Sequence, residues 1–284
     1  MQSRRIAVTL IGLSLLALAV VVAVTGDVPC RVLGSYCSEP EPARSVPTSV
    51  SPVTHNPFAA VLANLAAQPS FSIVQVGAYI GDTPNDPLFP FLRYFLDPAK
   101  KRFKRDAKVV LIEPIREYFD LLRENYGNLP GLEFENVAIA ESEGTREMYR
   151  LDVDPTKYGF PAWLSQLSSL KNERMGELWE RYERNPHLQK FYLEHRVTET
   201  VKSVTLQQLL DRHRIEHLDL LQIDAEGYDF EILQTLDFSK TKPTFINYER
   251  VLLQENEPAC RRLLSDQGYM LIDWGQDTLA IRVR

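Results

Sequence analysis

The run Ile73-Val74-Gln75-Val76-Gly77-Ala78-Tyr79-Ile80-Gly81-Asp82 is an apolar stretch that breaks into two glycines. A strand that opens into glycines lets backbone approach a ligand closely, because a residue without Cβ turns sharply and leaves space above the turn. Residues 108–112 read as a second strand, ending in Glu113-Pro114. An acidic side chain there can accept hydrogen bonds from both hydroxyls of a ribose. Further on, LDLLQIDAEGYDFEIL sets Asp224 and Glu226 at the mouth of a strand, with Gly227 at a sharp turn into a helix. FINYER sets Tyr248 and Glu249 on the same rim. Carboxylates gathered at a strand edge are costly unless used or paired. Asp224 and Glu226 could orient an amino group, position a substrate hydroxyl or bind a metal, or Asp224 could cap the helix that follows. Glu249 is a candidate general base, or the ion-pair partner of Arg250 or Arg116.

The glycine spacing narrows the cofactor. A pyrophosphate cradle needs the tight G-x-G-x-x-G turn, and Tyr79 stands where its second glycine would fall. A side chain of that size obstructs phosphates. S-adenosylmethionine has an adenosine, a sulfonium and an amino-acid tail but no phosphate, so a looser G-x-x-x-G turn suffices.

These residues need a parallel sheet to bring them together. After residue 57 the chain alternates strand-like runs (72–76, 108–112, 132–137, 218–223, 244–248) with helix-like ones (115–126, 206–213, 229–236, 258–267). That alternation predicts an α/β fold, a mostly parallel sheet with helices on both faces and ligands beyond its carboxyl edge. Residues 269–274 and 278–283, split by Gly275-Gln276-Asp277, predict a terminal hairpin. A polar insertion over 152–200 carries Trp163, Trp179, Tyr182, Phe191 and Tyr192, and its spacing over 171–194 predicts helix. It could form a substrate lid or simply pack its aromatics onto the domain.

The composition, 44% hydrophobic and 25% charged with a net charge of −6, is that of a globular protein and argues against nucleic acid as the main partner. The cluster Lys100-Lys101-Arg102-Phe103-Lys104-Arg105 reads as a solvated helix end. Residues 6–24 are uncharged and long enough to cross a bilayer at about 1.5 Å per residue. The division is therefore a signal anchor or transmembrane helix over 1–27, a Pro/Ser-rich stem over 28–57 and a globular domain over 58–284. Arg4-Arg5 before the apolar segment predicts a cytosolic N-terminus and a lumenal domain, secreted if the segment is cleaved. In an oxidising lumen Cys30 and Cys37 could close a small ring, leaving Cys260 free and buried.

The series IVQVGAYIGD, VVLIEPIREYFDLLRENY, FENVAIAESEG, LQIDAEGYDFEIL and PTFINYER resembles the FkbM family of S-adenosylmethionine-dependent methyltransferases, over roughly residue 60 to the end. IDAEGYDFEIL and the IEP before a helix ending in ENY are its most specific parts, and Asp86-Pro87 matches a DP motif of the nearest members. The resemblance implies a Rossmann-like class I fold, a seven-stranded sheet with an antiparallel last strand, S-adenosyl-L-methionine as cofactor and transfer to oxygen without a metal. By position it implies that Gly77, Ala78, Tyr79 and Gly81 line the methionine end. Glu113 with Pro114 would hold the ribose, Asn136, Val137 and Ala138 would flank the adenine, and Asp224 would stand nearest the methyl. Asp224, Glu226 and Glu249 are the candidate catalytic residues, with His195 a further one to substitute. Gln75 replaces an acid common in methyltransferases, and Tyr79-Ile80 replaces the Asn-Asp of near relatives.

The resulting expectation is O-methylation of a hydroxyl on a glycan or small molecule. Two alternatives stand beside it. The altered first loop would suit a non-catalytic binding module. The anchor, the stem and Asp152-Val153-Asp154 would suit a Golgi-type glycosyltransferase, if that D-x-D held a metal and a nucleotide sugar.

Overall fold

The computed structural model describes residues 56–100, 106–171 and 186–283. Among these residues no helix is long and apolar enough to cross a membrane. The expected span at 6–24, most of the stem, Cys30, Cys37, residues 101–105 of the basic cluster, Trp179 and Tyr182 lie outside the described residues.

The domain opens with α1 (Pro57–Ala67), where Asn56 caps the Phe58 amide and Pro57 sets the first helical φ. The core is a seven-stranded mixed sheet. Its first three strands are β1 (Ser70–Val76), β2 (Asp106–Ile112) and β3 (Leu132–Glu135). The helices α2 (Leu88–Phe95) and α3 (Arg116–Tyr126) connect them. The chain leaves this sheet after β3 for a second one. It returns through α5 (Leu206–Arg212), β8 (Leu220–Ile223), α6 (Asp229–Gln234), β9 (Phe245–Glu249), α7 (Glu257–Asp266), β10 (Tyr269–Trp274) and β11 (Asp277–Arg282). The spatial order is β10-β11-β9-β8-β1-β2-β3, with β11 antiparallel to both neighbours and the other pairings parallel. This is the Rossmann-like class I methyltransferase arrangement, including the expected terminal hairpin.

β1 is buried from Phe71 to Val76, as a central parallel strand covered on both faces must be. One face carries Val74, Val76, Val110, Ile112, Leu221, Ile223, Ile246 and Tyr248 into the larger core cluster. The other carries Phe71, Ile73, Val109, Leu111 and Leu220 against α1 and α2. At the carboxyl end of that second face the apolar pattern stops. Gln75, Gln222 and Asn247 are register partners across β1, β8 and β9. The chain runs from β1 outward to β3 on one side and from β8 to β9 on the other, so the β1/β8 boundary is the switch point where a ligand crevice opens.

The second sheet has the order β4-β7-β5-β6. It comprises β4 (Ala138–Ile139), β5 (Gly144–Leu151), β6 (Ser168–Ser169) and β7 (Arg196–Val204). β5 and β7 pair antiparallel from Gly144↔Ser203 to Leu151↔Arg196. The expected insertion is therefore the excursion carried between two paired strands, and its last residues are strand rather than loop. In β7 Thr198, Thr200 and Lys202 are exposed while Val201 and Ser203 between and beyond them are buried, which is the pattern of a half-exposed strand. Helix α4 (Pro186–His195) agrees with the expected helical stretch. Phe191 and Tyr192 of α4 are buried with Leu151, Leu164, Leu167 and Leu252.

Candidate active site

Beyond the carboxyl ends of β1, β2 and β8 lies a cleft of about 980 Å³, counting the solvent at its mouth. The turn after β1 forms its floor. Gly77 has φ +78°, and a Cβ on it would stand 1.8 Å from the Asp224 carbonyl oxygen. The amides of Gly77 and Ala78 donate to the Ile112 carbonyl, and the Asp224 amide donates to that of Val76, so the turn is fastened to both neighbouring strands. Tyr79 and Glu226, both lining the cleft, also have positive φ, 46° and 48°. For a residue with a Cβ the left-handed region costs about 1–2 kcal/mol. Strain of this kind persists where surrounding contacts over-determine the backbone, and it concentrates at functional turns.

Glu113 is 2% exposed at the cleft wall. Its carboxylate accepts the Tyr79 amide at 3.0 Å and the Ile115 amide at 2.8 Å, tying the turns after β1 and β2 together. Burial pushes its pKa up to about 8 despite those two donors. Each of its oxygens takes one of these donors and keeps capacity to accept a ribose hydroxyl as well. Asn136 does not line the cleft. Its Nδ2 donates to the carbonyls of Glu113 and Pro114, both at 2.9 Å, and so holds the wall that Val137, Ala138 and Ile139 complete. Gly81 also faces elsewhere, packed under Tyr126, Leu122 and Phe89. Its close approach is to the core and not to a ligand.

Tyr79 and Ile80 have a structural role that their sequence position concealed. They pack against the cluster of Ile115, Tyr118, Ala138, Met148 and Val201, and the Tyr79 and Tyr118 rings meet edge to face at 4.6 Å. Tyr118 Oη donates to the Ser165 carbonyl in the insertion. The first loop and the insertion are thus joined, and Met148, Gln166, Ser168 and Leu170 supply one wall of the cleft.

After β8, Asp224 is exposed and Glu226 half-buried, both lining the cleft. Glu249 does not line it. Burial, then the charges of Asp224, Glu226, Asp229 and Asp277, push the Glu249 pKa up to about 10, so it carries its proton at neutral pH. Its place outside the cleft and its raised pKa favour Asp224 over it as a proton acceptor. Neither arginine expected beside it is there, since Arg116 pairs with Asp120 and Arg250 lies towards Gly275 and Asp273. His195 also lies outside the cleft, its ring tilted against those of Tyr158 and Phe191. Sequence reasoning overlooked Asp229, which is fully buried. Its carboxylate accepts the amides of Gly227 and Glu249, both at 3.1 Å, and pins the turn after β8 to the end of β9. The DAEGYD spacing was the available signal, an acid at the first position of a helix.

Because the folded protein holds the Glu249 proton far above the ordinary carboxylate range, the stability this provides is complete below pH ~4.5. It is lost as pH rises through about 10. Glu249→Gln cannot ionise, so it should melt about 3 °C or more above the wild type at pH 9 and close to it at pH 4. Equal melting temperatures at both pH values would remove the claim that Glu249 is protonated.

Among the described residues the lining contains Asp86, Glu113, Asp224 and Glu226 and no lysine, arginine or histidine. Diphosphates are poorly matched to such a surface, whereas a sulfonium with an ammonium tail is matched by charge. The buried Oε1 atoms of Gln75 and Gln222, both cleft residues, have no hydrogen-bond partner, which also suits a ligand that donates. The D-x-D tripeptide lies outside the cleft. Asp152 pairs with Arg150, and Asp154 caps the short turn Pro155–Tyr158 through Thr156.

The sequence matches the methyltransferase FkbM domain over residues 75–271. Solved structures that align with the fold include an O-methyltransferase from Bacillus cereus in complex with S-adenosylhomocysteine. It is 12% identical, with 82% of this chain and 83% of that one covered and a TM-score of 0.41. Another is the precorrin-6y C5,15-methyltransferase from Geobacter metallireducens, 12% identical over 83% of this chain and 92% of that one, with a TM-score of 0.38. No curated protein sequence matches. By its domain match the chain belongs to the FkbM methyltransferase family and uses S-adenosylmethionine.

Proposed function

We propose that the chain transfers the methyl group to a hydroxyl oxygen of a neutral or cationic acceptor, a glycan or small molecule, admitted beside the insertion. The observation that carries this reading is the cleft lining, which among the described residues has four acidic side chains and no basic one and so disfavours phosphorylated and nucleic-acid acceptors. Bound S-adenosylmethionine would supply an electrophilic methyl on a good leaving group. The protein's part is then mainly alignment and exclusion of water. Gly77 and Ala78 bring backbone close to the cofactor, Glu113 accepts the ribose hydroxyls, and Val137, Ala138 and Ile139 enclose the base. Asp224 receives the acceptor's hydroxyl proton as the oxygen–carbon bond forms and the carbon–sulfur bond breaks. Glu226 and Ser168, both lining the cleft, orient the acceptor.

The reading includes an anchor at residues 6–24 that places the domain in a lumen supplied with the cofactor, where glycan hydroxyls are abundant. Incubation with methyl-labelled cofactor and fractionated extract tests it. Label should enter a neutral fraction as a base-stable ether. Base-labile label would mean a carboxylate acceptor, and no transfer despite cofactor binding would mean a binding module; either result would contradict the proposal.

A further inference from the structure

Beside the first turn lie two amide oxygens without a hydrogen-bond partner and a carboxylate without a cation among the described residues. Gln75, 5% exposed, donates from Nε2 to Asp86 Oδ2 at 3.1 Å, which fixes its amide so that Oε1 points away from the carboxylate. That Oε1 is buried and unpartnered, and so is Oε1 of Gln222. Gln75 and Gln222 are register partners on adjacent parallel strands, so their side chains leave the same face of the sheet side by side. Asp86 Oδ1 accepts the Leu88 amide at the start of α2, which holds the carboxylate in place, and no ion pair reaches Asp86 among the described residues. All three residues line the cleft, and among the described residues its lining has no basic side chain that could serve them.

Two amide oxygens and one carboxylate thus line the same part of the cleft, beside the end of β1. A primary ammonium has three N–H donors and one positive charge, as a lysine head group does. Resting on S-adenosylmethionine as the cofactor of this cleft, we propose that Asp86, held by Gln75 and flanked by Gln222, receives the ammonium of its methionine tail. The negative charge missing from the end of β1 is thereby supplied from the start of α2, eleven residues on. Burial pushes the Asp86 pKa up to about 6, as expected of a carboxylate whose cation has yet to arrive. The arrangement also gives Asp86-Pro87 a reason beyond starting a helix.

The test is calorimetric titration of the full chain with three ligands. S-adenosylhomocysteine has the whole tail, its deaminated analogue lacks only the amino group, and 5′-methylthioadenosine lacks the tail. Wild type should bind the deaminated analogue about 10-fold more weakly than S-adenosylhomocysteine, the usual worth of a charge-assisted hydrogen bond. Asp86→Asn should lose about 10-fold for S-adenosylhomocysteine and change by less than about 2-fold for the other two. Restoring the charge on the other side, Gln75→Glu with Asp86→Asn, should recover most of the loss. If the wild type binds deaminated and intact ligands equally, or if Asp86→Asn weakens all three alike, the assignment is overturned. The wild-type comparison does not depend on any variant folding. Binding of 5′-methylthioadenosine with an insensitive tail would sink this assignment alone, whereas no binding of any ligand would sink the cleft as the cofactor site and the assignment with it.

Discussion

Gly77→Ala should abolish cofactor binding and leave a protein that unfolds well below the wild type. The added Cβ would lie 1.8 Å from the Asp224 carbonyl oxygen and 2.8 Å from its carbon, and both atoms are backbone. Relief by rotation is blocked. The Gly77 and Ala78 amides are bonded to the Ile112 carbonyl and the Asp224 amide to the Val76 carbonyl, so movement of this turn breaks the joint between β1 and both neighbours. Beyond the collision, the residue must hold φ +78°. The expected cost is about 3 kcal/mol or more in stability, with S-adenosylhomocysteine affinity lowered by at least about 100-fold. Gly159→Ala is the control, since that glycine has φ +79° but nothing within 4 Å of the added Cβ. It should lose only about 1 kcal/mol and bind the cofactor normally. Wild-type affinity in Gly77→Ala, or equal destabilisation in the two variants, would show that the close approach of β1 to β8 is not what shapes the site.

The second large effect is expected at Asp224. Of the carboxylates near the proposed methyl position, Glu249 keeps its proton and Glu226 is half-buried, which leaves Asp224 as the exposed side chain lining the cleft. Asp224→Asn should lower kcat about 100-fold, the lower end of what a positioned proton acceptor contributes. S-adenosylhomocysteine affinity should stay within about 3-fold, because that ligand has no methyl and Asp86 is assigned the amino group. A parallel loss of affinity and rate would make Asp224 a cofactor holder. A kcat within about 5-fold of wild type would mean that the acceptor's proton leaves directly to water.

The parallel sheet was legible because its strands are buried on both faces, and SIVQV, KVVLI and FINY are nearly unbroken apolar or β-branched runs between helical periods. The hairpin of β10 and β11 was legible from the glycine that separates its strands. β7 was not, because its charged residues continue those of the helical stretch before it, and only pairing with β5 sorts Val201 and Ser203 onto a buried face. α1 was hidden by following a proline-rich segment. In the site, Gly77, Glu113 and Asp224 could be found from their places at strand ends, since the switch point of a parallel sheet brings such ends together. Gly81 and Asn136 share that neighbourhood in sequence but spend their contacts on core packing and on backbone carbonyls. Glu249 looked like a base until four other carboxylates were found around it. Gln75 looked like a loss of charge. Only the fold shows Asp86 bonded to it.

The measurement that bears most directly on the account is the structure of the full chain crystallised with S-adenosylhomocysteine. The account predicts the ribose hydroxyls on Glu113, the adenine between Val137 and Ile139, the amino group among Gln75, Asp86 and Gln222, and the sulfur facing Asp224. Ligand bound elsewhere on the protein, or bound in this cleft with its sulfur turned away from Asp224, would contradict it.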